Sequence, residues 1–494
     1  MAATALRDRP RFMRALADFR RVLSRHRGLS PVFLGVVLAG CALNPPPNAD
    51  ELRAQALPNL KAPEQWATVA TLVDVPGGWL ATFNDPALEQ LVAEAIAYNP
   101  DLTIAAARVE AAEAAARAAG AALWPQVSLA GRGGGKLSGD NSGLNALGLF
   151  ASWEIDLWGR VRASRAAATA QYESAAFDAQ YARASLAALV AKSYFLAREA
   201  TAQRAIASEM VVAADSLADY SRNRVSVGRG DDLEVAQAEA SMLSYQDLVL
   251  QAELARQNAV RAIEILAGRY PAATLDAGAG LPAPPAAIPA GLPSQLLERR
   301  PDVRSAERRV AAAFYRTQEA QAARLPRISL SAAVSGVSSE LFVLKERDNP
   351  VWSAGATLMA PIFTAGALQA QVEARTAEQK AAIADYGRIG ARAFGEVEGA
   401  LSASVALDRR ADVLSRAVLA NDRALGFARV RFDVGSADQR VVQTQQLALH
   451  AARTSLVHVQ AERLVQRVNL HLALGGSFDL PPPPAPPPAP APAK

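Results

Sequence analysis

The sequence predicts a mainly α-helical fold with a membrane β-barrel portion, built from two tandem structural repeats. Three observations support this prediction. A segment that begins near residue 99 recurs 201 positions later, two long stretches are alanine-rich and free of proline, and four short segments alternate between apolar and polar residues. Together these patterns predict long α-helical hairpins and four β-strands in each protomer.

The first 40 residues have the pattern of a lipoprotein signal peptide. Arginines crowd the first 30 residues, and an apolar run too short to span a bilayer follows them. Leu38-Ala39-Gly40-Cys41 resembles a bacterial lipobox, in which the cysteine thiol receives a diacylglycerol. A buried free cysteine is the alternative, but the prolines that soon follow Cys41 argue against a core position. Met13 offers a second start that would leave a shorter signal.

Removal of this signal changes the charge of the chain. Residues 1–40 carry eight arginines and two aspartates, a net charge of +6, whereas the whole chain carries +4. The remainder therefore has a net charge near −2. Because the basic residues concentrate in the signal, the high isoelectric point does not indicate a nucleic-acid-binding surface. We expect no nucleic-acid partner.

The internal repeat sets the predicted domain boundaries. NPDLTIAAARVEAAEAAARAAGAALWPQVSL (99–129) aligns with RPDVRSAERRVAAAFYRTQEAQAARLPRISL (300–330). Further along each copy, VSVGRGDDLEVAQ aligns with FDVGSADQRVVQ. The predicted organisation is a signal peptide (1–40), a lipidated extended N-terminal segment (41–84), repeat 1 (85–275), a Pro/Gly/Ala linker (276–293), repeat 2 (294–476) and a Pro-rich tail (477–494).

Each repeat is predicted to contain a broken helix and a very long helical hairpin. Asn99-Pro100 marks the break, with Asn99 as a cap. The long helices, at about 160–222 and 364–431, have roughly 60 residues each and would span roughly 90 Å. We expect turns at the hairpin tips, at Gly228 and Gly435. Asp231 is then a candidate cap for the returning helix, with Glu234 three residues later.

Four segments have the alternation of membrane β-strands. Apolar side chains occupy one face and mostly small or polar ones the other. All but the first segment have lengths near the ~9–11 residues that a membrane strand needs. The segments are 126–129, 149–156, 327–335 and 351–358. Trp124, Trp158 and Phe363 flank them, where a membrane interface favours aromatic residues. A half-buried sheet of a soluble protein is the alternative, and the lipoprotein signal favours the membrane.

Four strands are too few to close a barrel. Because unpaired sheet edges are not tolerated in lipid, the chain is expected to oligomerise. Three copies would supply twelve strands.

Two further motifs identify a family that the chain resembles. IPAGLPSQLLERRPDVRSAE (288–307) and SWEIDLWGRVRA (152–163) closely resemble the outer-membrane efflux protein family of the TolC type, in its NodT-like lipoprotein branch. The resemblance runs from Cys41 to about Gly476. It implies a lipid-anchored homotrimer whose twelve-stranded barrel sits among the lipids of the bacterial outer membrane. A tunnel of α-helical hairpins would cross the periplasm.

The resemblance also implies a function and partners. It implies a passive gated exit duct for drugs or other toxic small molecules, served by a periplasmic adaptor and an inner-membrane pump of the resistance-nodulation-division class. In such proteins the periplasmic tip closes like an iris, and nearby carboxylates help to hold it. The gate candidates are Asp231, Asp232, Glu234 and Asp438. Helix caps or solvated charges are the alternative interpretation. Val441 and Thr444 lie where relatives often have carboxylates.

Two other classes of protein fit the sequence less well. An enzyme is disfavoured because the four histidines have no metal-ligand spacing, no phosphate loop precedes a helix, and no nucleophile has a nearby base. We expect no metal and no cofactor beyond the acyl lipid on Cys41. A lipid-anchored periplasmic adaptor would also carry a long hairpin, but only one, flanked by small β domains.

Overall fold

A computed structural model describes residues 43–60, 63–68, 77–132, 145–285, 290–291, 293–338 and 351–476. The predicted lipobox, Leu38 to Cys41, lies outside these residues, as does the Pro-rich tail. Within the described ranges the chain forms two compact units. The sheet unit comprises the residues up to Pro47, Glu113–Ala170 and Val310–Ala381, and the helix unit comprises Asn48–Ala112, Gln171–Arg309 and Ala382–Lys494.

Helices dominate the described residues. In chain order they are α1 (Ala49–Ala56), α2 (Pro86–Tyr98), α3 (Pro100–Ala121), α4 (Arg160–Ser226), α5 (Asp232–Leu266), α6 (Leu296–Arg299), α7 (Pro301–Ala322), α8 (Ala367–Asp433) and α9 (Gln439–Ala473), with short 3-10 segments at Trp79–Phe83 and Pro293–Gln295. Of the helices described, none combines the length and the apolar composition that a bilayer crossing requires.

The two long hairpins have identical helix lengths. Helices α4 and α8 each have 67 residues, and α5 and α9 each have 35. Each boundary in the second hairpin lies 207 residues after its counterpart in the first. The predicted long helices are confirmed, and both continue a few residues further towards the tip.

The broken helix of the first repeat is also confirmed. Helix α2 ends at Tyr98 and α3 begins at Pro100. Between them, Asn99 Oδ1 accepts hydrogen bonds from the backbone N–H groups of Asp101 at 2.9 Å and Leu102 at 3.3 Å. Since proline has no N–H to offer at the first helical position, the Asn-Pro pair ends one helix and starts the next.

The four predicted strands are confirmed and form one antiparallel sheet. They are β1 (Gln126–Arg132), β2 (Asn145–Ile155), β3 (Arg327–Ser338) and β4 (Val351–Met359), and they pair in chain order. All four are longer than the alternation predicted, the last by one residue. Strands β2 and β3 come from different repeats, so their pairing joins the repeats. Strands β1 and β4 form the two edges of the sheet within one chain.

Strand register separates the two faces of the sheet. Leu129 lies opposite Leu149, Leu149 opposite Val334, and Val334 opposite Trp352. These four side chains are between 46% and 79% exposed, so the rest of the described chain leaves the apolar face uncovered. One residue along, the opposite face presents a row of smaller or more polar side chains with one aromatic ring: Ser128, Phe150, Ala333 and Ser353.

One apolar core of the helix unit lies where the segment after residue 77 packs on α4, α5 and α9. It includes Trp79, Phe83, Leu88, Val190, Phe195, Ile263, Leu464 and Val468. Alanines supply much of the helix surface there, which allows close approach of the backbones.

Candidate functional site

The turns at the two hairpin tips have the same backbone geometry. Gly228 and Gly435 have φ angles of 72° and 71°, a left-handed conformation that costs a residue with a Cβ roughly 1–2 kcal/mol. A Cβ at either position would meet no atom within 4 Å. The glycines therefore serve the turn conformation, not a close contact.

Two of the four candidate gate carboxylates cap the returning helices. Asp231 Oδ1 accepts a hydrogen bond from the Glu234 N–H at 2.8 Å, and Asp438 Oδ1 accepts one from the Val441 N–H at 3.3 Å. These contacts satisfy N–H groups that a helix leaves unpaired in its first turn. The helix-cap interpretation therefore describes both aspartates.

An ion cluster connects the tip of the first hairpin with the tip of the second. Glu234 Oε2 lies 3.2 Å from Arg224 Nη1, and its Oε1 lies 2.7 Å from Arg440 Nη1. Arg440 Nη2 also lies 3.2 Å from Asp438 Oδ2. Asp438 and Glu234 together raise the pKa of the Arg440 guanidinium. We call these four residues the tip cluster. Within it, Glu234 links the tip of the first hairpin to the tip of the second.

Three other charged residues at the tips lie outside the tip cluster. Asp232 is exposed and makes no ion pair with any residue that the structure describes. The side chains of Arg229 and Arg431 are likewise exposed and form no ion pair with any described residue. Of the four predicted carboxylates, the structure therefore brings only Glu234 and Asp438 into one cluster.

A groove beside the second tip is missing from the sequence prediction. It has a volume of about 490 Å³ and lies between α8 and α9. Phe427, Val430 and Val441 line it, and their side chains are 41% to 70% exposed. The sequence signal for it is the pair Phe427 and Val430, three positions apart on one face of α8.

Aromatic residues mark one end of the sheet. Trp158 Nε1 donates a hydrogen bond to the Pro326 carbonyl at 2.7 Å, and Trp153 Nε1 donates one to Leu123 at 2.9 Å. Trp124 and Phe363 are 72% and 87% exposed. The strand directions bring all of them to the end where β1 starts and β4 finishes. Such rings, part apolar and part polar, suit a membrane–water interface.

The described chain begins at this same end of the sheet. The carbonyl of Asn44 accepts a hydrogen bond from Gln318 Nε2 at 2.8 Å. Leu43 Cδ2 lies 3.2 Å from the position that a Cβ on Gly159 would occupy. Gly159 directly follows Trp158 in the sequence, so the first described residues after Cys41 lie beside an aromatic flank of the sheet.

The part of the chain that the structure describes contains no group of three or more histidine, cysteine, aspartate or glutamate side chains placed to hold a metal ion.

Known proteins match the chain over most of its length. A sequence model described as "outer membrane efflux protein" matches residues 91–269 and 292–476. The pyoverdine export outer membrane protein OpmQ of Pseudomonas aeruginosa is 30% identical over 473 residues, covering 92% of this chain and 97% of the relative. The cation efflux system protein CusC of Escherichia coli is 30% identical over 467 residues, covering 91% and 98%.

A solved structure agrees with these matches. The outer-membrane channel OprN superposes with a TM-score of 0.76 at 28% identity, covering 86% of this chain and 99% of that one. The predicted family resemblance is confirmed, and the adaptor alternative finds no support in these relatives. The two matched segments fall on the two predicted repeats. The chain belongs to the outer membrane efflux protein family and is an outer-membrane efflux channel protein.

Proposed function

We propose that three copies of this chain close their sheets into one twelve-stranded barrel and act as a gated exit duct. The duct is passive and carries out no catalytic step. The observation that carries this proposal is the four-stranded sheet. Its apolar face and its two edges find no partner among the residues that the structure describes. An open edge leaves backbone N–H and C=O groups unpaired, which lipid does not tolerate.

The free edges define how copies meet. Strand β1 of one copy pairs with β4 of the next, a head-to-tail contact that forms a ring when the rotation closes. Every backbone group of the sheet then has a partner, and the apolar rows face lipid all around. The row of Ser128, Phe150, Ala333 and Ser353 faces the lumen.

The lipid anchor on Cys41 is part of the proposal. Its support is the position of Leu43 and Asn44, which lie beside Gly159 and Gln318 at the aromatic end of the sheet. A cysteine two residues before Leu43 is then within reach of the membrane interface. One acyl chain gives only weak anchoring, so the embedded sheet and the lipid would act together.

The tip cluster is the proposed gate contact. Glu234 pairs with Arg224 in its own hairpin and with Arg440 in the other, so the two tips cannot separate without breaking an ion pair. These pairs are partly exposed, and each contributes modestly, about 0–1 kcal/mol. A gate of this strength can be opened by a partner. We assign that role to a periplasmic adaptor, with an inner-membrane pump of the resistance-nodulation-division class as the energy source.

The cargo is a small molecule that the pump selects. OpmQ is named for pyoverdine export and CusC for cation efflux, and both are 30% identical to this chain. Since relatives equally similar to this chain carry such different cargo, this level of identity does not fix the cargo. Among the candidate cargoes, we favour drugs and other toxic small molecules.

Electron microscopy of the detergent-purified protein, together with its mass, tests the assembly. We expect a hollow threefold particle with the mass of three chains. A monomer, or a particle without threefold symmetry, would overturn the proposed barrel.

Conductance in planar bilayers tests the gate. Glu234→Gln removes the charge that joins the hairpins and should raise the open fraction. Glu239→Gln is the matched control, because Glu239 pairs with Arg222 on the same hairpin, 2.9 Å away. Equal open fractions in the two variants would remove Glu234 from the gate.

A further inference from the structure

The N-terminal segment is fitted to one long helix of the second repeat. Residues 48–60 and 63–68, here called the belt, lie along α8 of the helix unit. Their contacts on α8 fall on Gly387, Gly390, Phe394 and Glu398. Steps of three, four and four residues place these positions in one stripe on the helix surface.

Glycines form the first half of this stripe. A Cβ on Gly387 would overlap the carbonyl oxygen of Ala56, the last residue of α1. A Cβ on Gly390 would lie 3.3 Å from Leu57 Cδ1. Glycine in a helix interior costs roughly 1 kcal/mol relative to alanine, and here it permits backbone-to-backbone contact. Larger side chains at these positions would push the belt away.

The second half of the stripe holds the belt by an aromatic contact and a carboxylate. The Trp66 ring lies 6.3 Å from the Phe394 ring, and its Nε1 donates a hydrogen bond to the Gly291 carbonyl at 3.0 Å. Glu398 accepts hydrogen bonds from the backbone N–H groups of Ala67 at 2.7 Å and Thr68 at 3.4 Å. These contacts therefore fix the position of the belt both along α8 and around the axis of α8.

The first repeat has a different stripe at the same place. The offset of 207 residues converts the belt positions into Gln180, Arg183, Ala187 and Ala191 of α4. Gln180 and Arg183 carry long side chains at the two positions where α8 has glycine. Ala187 and Ala191 are fully buried in the core cluster that contains Trp79 and Phe83. The chain thus meets α8 through the belt and α4 through the segment around Trp79.

We propose that the belt and the segment around Trp79 together couple α8 to α4. The stripe of Gly387, Gly390, Phe394 and Glu398 on α8, here called the seat, is then a fixed point about which the hairpins move during gating. The proposal rests on the gated duct proposed above. The pivot follows from the chemistry of the seat: a stripe without side chains at one end and hydrogen-bonded at the other resists both sliding and rotation.

Gly387→Leu tests the seat, and Gly395→Leu is its matched control. Both replace a glycine of α8 with the same residue, but a Cβ on Gly395 would meet nothing within 4 Å. The purified full-length protein is treated with trypsin, which can cut the belt after Arg53. We expect cleavage at Arg53 to be faster by about tenfold in Gly387→Leu and little changed in Gly395→Leu, since proteolysis follows local opening.

The same proteins are then measured in planar bilayers. Gly387→Leu should change the open fraction severalfold relative to Gly395→Leu. Equal cleavage in the two variants would overturn the seat. Faster cleavage with equal open fractions would overturn the pivot. A wild-type protein that never conducts would overturn the proposed duct, while the cleavage result would still test the seat.

A second variant covers the case in which Gly387→Leu does not fold. Glu398→Ala removes both acceptors for the belt and leaves a good helix former. We expect faster cleavage at Arg53, by a smaller factor than in Gly387→Leu, because the glycine contact remains. A cleavage rate equal to that of the wild type would count against the seat.

Discussion

Asn99 and Arg300 occupy the same position in the two repeats and make the same contact. Asn99 Nδ2 donates a hydrogen bond to the carbonyl of Leu266 at 3.0 Å, and Arg300 Nη1 donates one to the carbonyl of Ala473 at 3.1 Å. Leu266 and Ala473 are the last residues of α5 and α9. Each side chain therefore ties a helix start to an unpaired carbonyl at the end of the returning helix.

The contact in the second repeat, made by Arg300, also involves charged partners. Arg300 is 1% exposed and binds Asp302 through two nitrogens, at 3.0 and 2.8 Å. Its Nη1 also lies 2.7 Å from Glu396 on α8. Burial alone would lower the pKa of the guanidinium, but Asp302 and Glu396 raise it above its usual range. The contact of repeat 2 thus includes the long helix α8, through an ion pair between the buried Arg300 and the partly exposed Glu396.

Arg300→Met should destabilise the helix unit strongly. It leaves Asp302 buried without its main cation, a loss that typically costs about 3–5 kcal/mol. Asn99→Ala at the equivalent position removes one neutral hydrogen bond and should cost about 1 kcal/mol. Denaturant unfolding of the two purified variants measures the difference. Equal losses would mean that Asp302 and Glu396 are satisfied without Arg300.

The two faces of the sheet predict opposite responses to a charge. Leu149 and Phe150 are neighbours near the middle of β2, and they point to different faces. An arginine on the lipid face of a membrane strand costs about 2–4 kcal/mol near the bilayer midplane. We expect Leu149→Arg to lower the recovery of assembled protein in the outer-membrane fraction and Phe150→Arg to leave it close to wild type. The reverse result would exchange the lipid and lumen faces.

The caps at the hairpin tips can be tested without breaking the tip cluster. Asp231→Ala removes the acceptor for the Glu234 N–H and should destabilise the first turn of α5 by about 1 kcal/mol. Hydrogen exchange of that turn should accelerate accordingly. Asp232→Ala is the control, since Asp232 accepts no bond from that turn and contributes only through the helix dipole. Equal acceleration in both variants would argue against the cap.

Sequence patterns predict the features of this fold that arise from neighbouring residues. The alternation of β2 and the Asn99-Pro100 break depend on residues a few positions apart, and each appears in the structure as expected. The sequence identifies the tip carboxylates only as a group. Their separate contacts depend on Arg440, 206 residues from Glu234, and no local pattern indicates that pair.

The belt is a clearer example of a contact that the sequence alone does not predict. Gly387 and Gly390 appear in the sequence only as glycines that weaken a helix. Their role becomes visible when Ala56, more than 300 residues earlier, is placed against them. Arg300 is similar, because Glu396 and Ala473 come from distant helices. Contacts across repeats follow from the packing of whole helices, and a single sequence does not specify them locally.

His471 makes the stability of the helix unit depend on pH. Its ring is 2% exposed and stacks on Trp79 with centroids 5.4 Å apart. Neither ring nitrogen has a hydrogen-bond partner among the described residues. Burial, with a smaller contribution from Arg467, lowers the pKa of His471 from 6.5 to about 4. The folded protein therefore holds this imidazole neutral at pH values where the unfolded chain protonates it.

The direction of the pH effect follows from this difference. Above the unfolded-state pKa of 6.5, both states are neutral and no stability is lost. As the pH falls from there to about 4, the unfolded chain binds the extra proton, and the loss approaches about 3 kcal/mol. Burial also lowers the pKa of His450, which adds to the same trend. The melting temperature of the purified protein should thus decrease between about pH 6.5 and pH 4.

His471→Phe identifies the source of this decrease. Phenylalanine keeps an aromatic ring against Trp79 but cannot be protonated, so the variant should lose much less stability on acidification than the wild type. The part that remains should decrease further when His450 is also replaced by a residue that does not titrate. A loss near pH 4 should persist, because the fold lowers the pKa of Glu253 from 4.5 to about 2. An unchanged pH profile in His471→Phe would show that the imidazole gains a proton or a partner in the folded state, and that Trp79 does not hold it neutral.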